Sequence, residues 1–201
     1  LFCPAKVVSV HNEPHQAQLT LDTGAVLNTK LVIAADGAQS ALRQFLAIEN
    51  DAHDYQQSAI ISALRTQRLH AGVAYERFTP GGPFAVLPKP DNACSLVWTV
   101  PRDQVPTMLA WSDAEFLAQA QEMFGERLGR FTELGRRNAH PLTRVMSDQL
   151  SAPRVLFAGN AAQALHPVAA QGFKLGLRDV AAVAEVLAGV SDPGADEVLA
   201  D

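Results

Sequence analysis

The sequence predicts a mixed α/β (α+β) chain in which a partial Rossmann-like domain is interrupted by an antiparallel β-sheet domain with helices. Two observations predict it. Residues 31–35 (LVIAA) and 154–158 (RVLFA) are short continuous apolar runs, each ended by a glycine-bearing turn and followed by a helical pattern, as expected of strands in a parallel sheet. Between them, strand-like runs follow one another with only Gly, Pro, Asp and Asn turns, the texture of an antiparallel sheet. The reading divides the chain into residues 1–56, 57–143 and 144–201, with the first and last belonging to one domain. A single α+β domain is the alternative reading of the same order.

In chain order, residues 6–11 and 16–22 read as strands joined by a turn at Asn12-Glu13-Pro14, and residues 25–28 as a short strand after Asp22-Thr23-Gly24. The run 31–35 suits a strand buried on both faces, and residues 40–46 open a helix. Residues 58–65, 73–78, 84–87 and 93–100 are the strands of the insert. Apolar residues at Phe116, Leu117, Ala120, Met123 and Phe124 recur with a helical period, with Ser112 as the N-cap. Residues 131–141 are expected to return as one strand. Residues 172–189 form a long helix, and nothing beyond Ser191 closes the fold.

Composition excludes several classes. Apolar residues make up 48% and charged residues 18% of the 201, which fits a folded globular chain. A formal charge of −5 lacks the basic face that nucleic acid requires, and the basic groups at 65–68 and 127–137 read as solvated surface. Cys3 and Cys94 have no CxxC spacing, so a reducing, cytoplasmic setting is the default. His11 and His15 have the spacing of a helical metal pair, but Asn12-Glu13-Pro14 between them make a turn, and no metal site is expected. No apolar run reaches the ~20 residues that span a bilayer. The chain opens at Leu1 rather than Met, as a segment of a longer protein would.

The chemistry gathers at the two strand-to-helix junctions. Ligands of open α/β sheets bind outside the carboxyl ends of the strands, where both junctions lie. At each, a glycine (Gly37, Gly159) allows close backbone approach. The helix that follows presents free N–H groups to anionic atoms. Asn160 offers a polar side chain, Pro167 sets a rigid corner after His166, and Gln171-Gly172 start the long helix with little bulk. Asp36-Gly37 by itself reads as a simple turn and Ser40 as an ordinary cap. The joint pattern carries the functional reading.

That pattern, Asp36-Gly37-x-x-Ser40-x-x-Arg43 followed by Gly159-Asn160-Ala161-Ala162, His166-Pro167, Gln171-Gly172, Leu175-Gly176 and Asp179, resembles the second and third fingerprints of the group A flavoprotein monooxygenases, the p-hydroxybenzoate-hydroxylase-like enzymes. Gln163 with Leu165-His166-Pro167, and Tyr75-Glu76-Arg77-Phe78, Phe84-Ala85-Val86-Leu87-Pro88 and Cys94-Ser95-Leu96-Val97-Trp98 in the insert, resemble its ubiquinone-biosynthesis branch, that of the 2-polyprenyl-6-methoxyphenol hydroxylases. The resemblance covers nearly the whole chain. It implies an FAD-binding domain interrupted by a substrate-binding domain, with NAD(P)H as reductant. The reaction it implies is hydroxylation of a prenylated phenol with O2, through a C4a-hydroperoxyflavin.

The resemblance also implies roles. Asp36 and Gly37 would lie near the FAD pyrophosphate and the NAD(P)H path, with Arg43 supporting their loop. Gly159, Asn160 and Ala161 would follow the ribityl chain, Pro167 would pack near the isoalloxazine, and the Gln171 and Gly172 amides would meet its pyrimidine edge. Val86, Leu96 and Trp98 are expected to line an apolar substrate cavity beneath the insert's sheet. No side chain is nominated as an acid or base, because the cofactor carries the chemistry. A lipid-soluble substrate also implies peripheral contact with the inner membrane or a quinone-biosynthesis complex. Three features depart from the family pattern: Ala170 stands where Gly is usual, Lys174 replaces Asn, and no GxGxxG loop occurs in these residues. The competing readings are a non-catalytic fragment that does not hold FAD tightly, and another FAD-dependent monooxygenase, such as a halogenase or epoxidase, on the same fold.

Overall fold

The computed structural model describes residues 1–200, with the backbone alone at residue 169. It divides into two compact units, Leu1–His53 with Thr143–Asp201, and Asp54–Leu142. In the first, strands β1 (Val7–Asn12), β2 (Ala17–Leu21) and β3 (Val26–Thr29) form an antiparallel sheet in chain order. Strand β4 (Val32–Ala34) leads to helix α1 (Ala41–Phe45). Strand β5 (Asn50–Thr66) carries the chain into the second unit, and β10 (Asn138–Ser147) returns it.

The second unit holds β6 (Tyr75–Thr79), β7 (Gly82–Pro88), β8 (Ala93–Pro101), helices α2 (Val105–Ala110) and α3 (Asp113–Phe124), and β9 (Phe131–Leu134). The strands lie in the order β5-β8-β7-β6, antiparallel throughout, with β9 on the outer side of β5. Ser112 starts α3 with a capping box. Its Oγ accepts the Glu115 N–H at 3.2 Å, and the Glu115 carboxylate accepts the Ser112 N–H at 2.8 Å. These bonds to Ser112 hold the Glu115 carboxyl below its ordinary range. Phe116 and Ala120, one turn apart on α3, are fully buried in the core of the sheet.

Val86, Leu96 and Trp98 belong to that core, at 1%, 0% and 7% exposure. Trp98 meets the Phe84 and Phe116 rings edge-on, with centroids 5.2 and 5.5 Å apart. Val86, Leu96 and Trp98 fill the interior, because alternate residues of β7 and β8 point to the face that the helices and their aromatic rings cover.

Two elements differ from expectation for a backbone reason. The strand expected at 58–65 begins at Asn50, through a polar stretch whose side chains are mostly exposed, so pairing rather than apolar pattern extends it. The single strand expected at 131–141 is two, β9 and β10, with the break at residues 135–137, beginning at Gly135, whose N–H bonds the Ala63 carbonyl at 2.8 Å.

In the first unit, β11 (Ser151–Ala152) pairs antiparallel with β12 (Val155–Phe157), and β12 lies parallel to β4 with Val155 beside Val32 and Phe157 beside Ala34. These four side chains are buried with Ala17 and Leu42. Ile33 points to the opposite face and is half exposed, so β4 is buried on one face, not both. Strand β13 (Gln163–Ala164) pairs with β10 and precedes helix α4 (Gln171–Leu187). The segment beyond Ser191, where the sequence offers no obvious closing element, is tied down. Lys30 Nζ donates to the Ser191 carbonyl at 2.9 Å, the buried Arg154 guanidinium bonds Asp192 and the Pro14 carbonyl, and α5 (Asp196–Leu199) follows. Arg154 holds the Asp192 carboxyl below its ordinary range.

The core assignment predicts that Trp98→Ala lowers the unfolding free energy by about 3–5 kcal/mol, the usual cost of emptying an aromatic site. Urea denaturation followed by tryptophan fluorescence from Trp111 checks this, and a loss below about 1 kcal/mol would contradict a packed core position.

Candidate functional site

Because β4 and β12 are parallel neighbours in register, the loops at their carboxyl ends leave the sheet side by side. The Ala158 N–H still bonds the Ala34 carbonyl at 2.9 Å, the last rung before both chains turn. Asp36-Gly37 follows β4, and residues 159–161 form a single 3-10 turn after β12. Gly37 has φ +90° and Gly159 φ +58°, left-handed conformations that a glycine adopts without strain. A methyl group built on either would meet nothing within 4 Å, so both backbones border open space.

Arg43 joins the two loops. It is 3% exposed, and its guanidinium donates from Nη1 to the Ala161 carbonyl at 2.7 Å and from Nη2 to the Ala38 carbonyl at 2.6 Å. Its own position is set by the helix start: Ser40 Oγ accepts the Arg43 N–H at 3.0 Å, and Asp36 accepts the Leu42 N–H at 3.2 Å. One charged side chain thus satisfies a carbonyl from each loop.

Helix α4 crosses the second loop closely. A methyl group on Gly176 would lie 3.4 Å from the Gly159 Cα. Its first turn has no acidic residue and no side-chain cap, so its N-terminal amides and positive dipole end are free of an internal anion. Gly172 borders open space, and Gln171 is exposed beside it. Pro167 and Asn160 are also exposed, while Ala161 is buried beneath the turn. Gln163 Nε2 donates to Asp179 at 3.3 Å, linking β13 to the helix. Below these groups, an apolar cavity of about 500 Å³ runs between β12 and the α4 face of Val183 and Leu187.

Ala170, just before α4, has φ +49° and ψ +40°. This is the left-handed region, which costs an alanine roughly 1–2 kcal/mol and a glycine almost nothing. The family pattern places Gly at this position, and the backbone here keeps the glycine conformation with an alanine in it.

The nine cofactor residues expected from sequence all lie in the first unit. Asp36, Gly37 and Arg43 follow β4, Gly159, Asn160 and Ala161 follow β12, and Pro167, Gln171 and Gly172 flank the start of α4. The expected substrate residues lie in the second unit's core. Sequence reasoning missed the Arg43 bond to Ala161 and the His166–Val168 contact described below. Neither has a sequence signal beyond the presence of an arginine and a histidine near turns. The open glycines and a first turn of α4 that holds no acidic residue and no side-chain cap fit the flat, electron-poor ring and anionic edge of a flavin. Among the described residues, no group of three or more His, Cys, Asp or Glu could hold a metal, and no helix is long and apolar enough to cross a membrane.

Two substitutions test this geometry. Arg43→Lys keeps the charge but cannot fork to two carbonyls, and should cost about 1.5–3 kcal/mol in thermal or urea unfolding. Ala170→Gly should raise stability, by about 1 kcal/mol at most once the greater freedom of unfolded glycine is deducted.

Comparison with known proteins gives consistent relatives. Ubiquinone hydroxylase UbiL of Rhodospirillum rubrum is 38% identical over 205 residues, covering 100% of this chain and 48% of the relative. The 3-demethoxyubiquinol 3-hydroxylase of Escherichia coli is 36% identical over 187 residues, covering 93% of this chain and 48% of the relative. The chain therefore spans about half the length of the curated relatives it matches. In fold, it is similar to PqsL, a probable FAD-dependent monooxygenase from Pseudomonas aeruginosa, with a TM-score of 0.78 at 23% identity over 98% of this chain and 57% of that one. The FAD binding domain family matches residues 7–201, and this chain belongs to it.

Proposed function

We propose that this chain carries a flavin-contacting part of an FAD-dependent monooxygenase that hydroxylates the aromatic ring of a polyprenylated phenol in ubiquinone biosynthesis. The observation that carries the reading is the pair of adjacent carboxyl-end loops, open at Gly37 and Gly159 and tied together by Arg43. The substrate class comes from the relatives named as ubiquinone hydroxylases.

FAD, when bound, would accept electrons from NAD(P)H and activate O2 for transfer of one oxygen atom to the ring. The residues of this chain bind and orient. Gly37 and Gly159 would let the backbone come close, and Asp36 would lie near the pyrophosphate and the reductant's approach. The exposed Asn160 side chain would hydrogen-bond the ribityl hydroxyls. The Gln171 and Gly172 amides, aided by the α4 dipole, would stabilise negative charge at the pyrimidine edge, with Pro167 closing over the ring. In this reading residues 1–56 and 144–201 bind the cofactor and residues 57–143 bind the phenol. The apolar tail of the substrate would bring the protein against a membrane surface or a neighbouring enzyme of the pathway.

The test is a flavin titration. Adding FAD, and separately riboflavin, to the purified chain should quench flavin fluorescence saturably and leave a yellow protein after desalting in FAD's case. A colourless chain that ignores both sinks the reading. Gly172→Asp separates the helix's charge role from its stability. A carboxylate in the first turn favours the helix itself, so unfolding stability should hold or rise. FAD affinity should instead fall roughly three- to tenfold, the size of a helix-terminus charge effect.

A further inference from the structure

We propose that His166 is a positioning residue for the flavin loop, its neutral imidazole fixing the turn from which α4 starts. The inference rests on the reading of that loop as a flavin site. The Val168 N–H donates to His166 Nδ1 at 3.1 Å. Pro167, between them, has no N–H and holds φ at −69°, so Val168 carries the first amide after the corner. The ring nitrogen thus accepts a bond from two residues onward, as an Asn or Asp side chain does in an Asx turn.

The consequences run forward along the chain. With Val168 fixed, residues Val168–Ala170 make a single 3-10 turn that closes when the Ala170 N–H reaches the Pro167 carbonyl at 2.9 Å. That turn delivers Ala170 to its left-handed conformation and Gln171 to the first position of α4. The backbone amides assigned to the flavin edge are the next ones in line. His166 therefore acts on the cofactor through the turn and not by touching it.

The bond also fixes the state of the imidazole. Nδ1 can accept only if it carries a lone pair, so the ring is neutral with its proton on Nε2. Burial pushes the His166 pKa below its ordinary value, which favours the same neutral form. Protonation would set an N–H against an N–H and open the turn.

The experiment compares His166→Ala, which removes the acceptor, with His166→Asn, which restores it through an Asx turn, on the full chain. Three readouts are taken: the nitrogen shifts of the wild-type imidazole, hydrogen exchange at the Val168 amide, and FAD affinity. The expected wild-type ring is the Nε2–H tautomer. His166→Ala should speed Val168 exchange and weaken FAD binding, each by roughly tenfold, the value of one lost hydrogen bond. His166→Asn should recover most of both. An Nδ1–H tautomer, an Asn variant no better than the Ala variant, or equal FAD affinity in all three proteins overturns the proposal. If wild-type chain binds no FAD while Val168 exchange follows the acceptor, the flavin reading fails and the hold of His166 on the turn stands.

Discussion

The guanidinium of Arg43 lies under the two loops that make the site, and the geometry of both depends on it. Parallel pairing of β4 and β12 brings the loops side by side, but pairing stops at Ala34 and Ala158, where the chains diverge. Beyond that rung, the carbonyls of Ala38 and Ala161 have no ladder partner. A buried carbonyl without a donor costs roughly 1–3 kcal/mol, and two such groups would leave the loops free to drift or to take water. Arg43 supplies both donors from one planar fork, which a lysine or a neutral amide could not do at that span. The charge is costly to bury, and its Nε finds no acceptor. The two charge-assisted bonds at 2.6 and 2.7 Å offset that cost.

A second arginine plays a comparable part at the far end of the same unit. Arg154 precedes β12 with φ +63°, and its buried guanidinium gathers the Pro14 carbonyl and Asp192 from distant parts of the chain. Gly194 completes the closure: a methyl group there would meet the Lys30 carbonyl at 1.9 Å, so only glycine passes. The strand that carries the second of these loops is thus anchored at its start by Arg154 and at its end by Arg43. The second unit is built differently, around edge-on aromatic rings, and its stability comes from apolar area and ring packing.

What could be read from the sequence follows from which residues carry periodic or local signals. The apolar runs ending at Asp36 and Gly159 are visible because buried strands need unbroken apolar stretches, and the α3 start is visible because Ser112 and Glu115 form a local capping pair. The first eight residues of β5 are invisible for the converse reason. They are mostly polar and exposed, so no apolar alternation marks them as strand. An aromatic residue in a β-rich insert such as Trp98 has the same sequence signature whether it lines a cavity or fills a core, and its edge-on contacts with Phe84 and Phe116 appear only in the fold. Arg154 with Asp192 is a pair 38 positions apart, beyond any local rule. Gly37 and Gly159 were legible as special backbone positions because left-handed conformations at strand ends favour glycine.

Helix α4 shows why the site needs so many small devices. It has no fully buried residue, and Phe173, Leu177 and Val180 face outward at 80%, 59% and 53% exposure. Apolar burial within this chain therefore does little to hold the helix, although burial is what usually stabilises one. Its placement comes instead from contacts at and near its first turns: the turn set at His166, the close pass of Gly176 over Gly159, and the Gln163–Asp179 bond. Segments held by few apolar contacts open locally at a fraction of the global unfolding cost. A ligand that engages the amides of α4 would close that opening, because binding to the ordered state alone draws the equilibrium toward it. The strained Ala170 fits the same logic. Its cost falls on the joint between turn and helix, beside the first amides of α4.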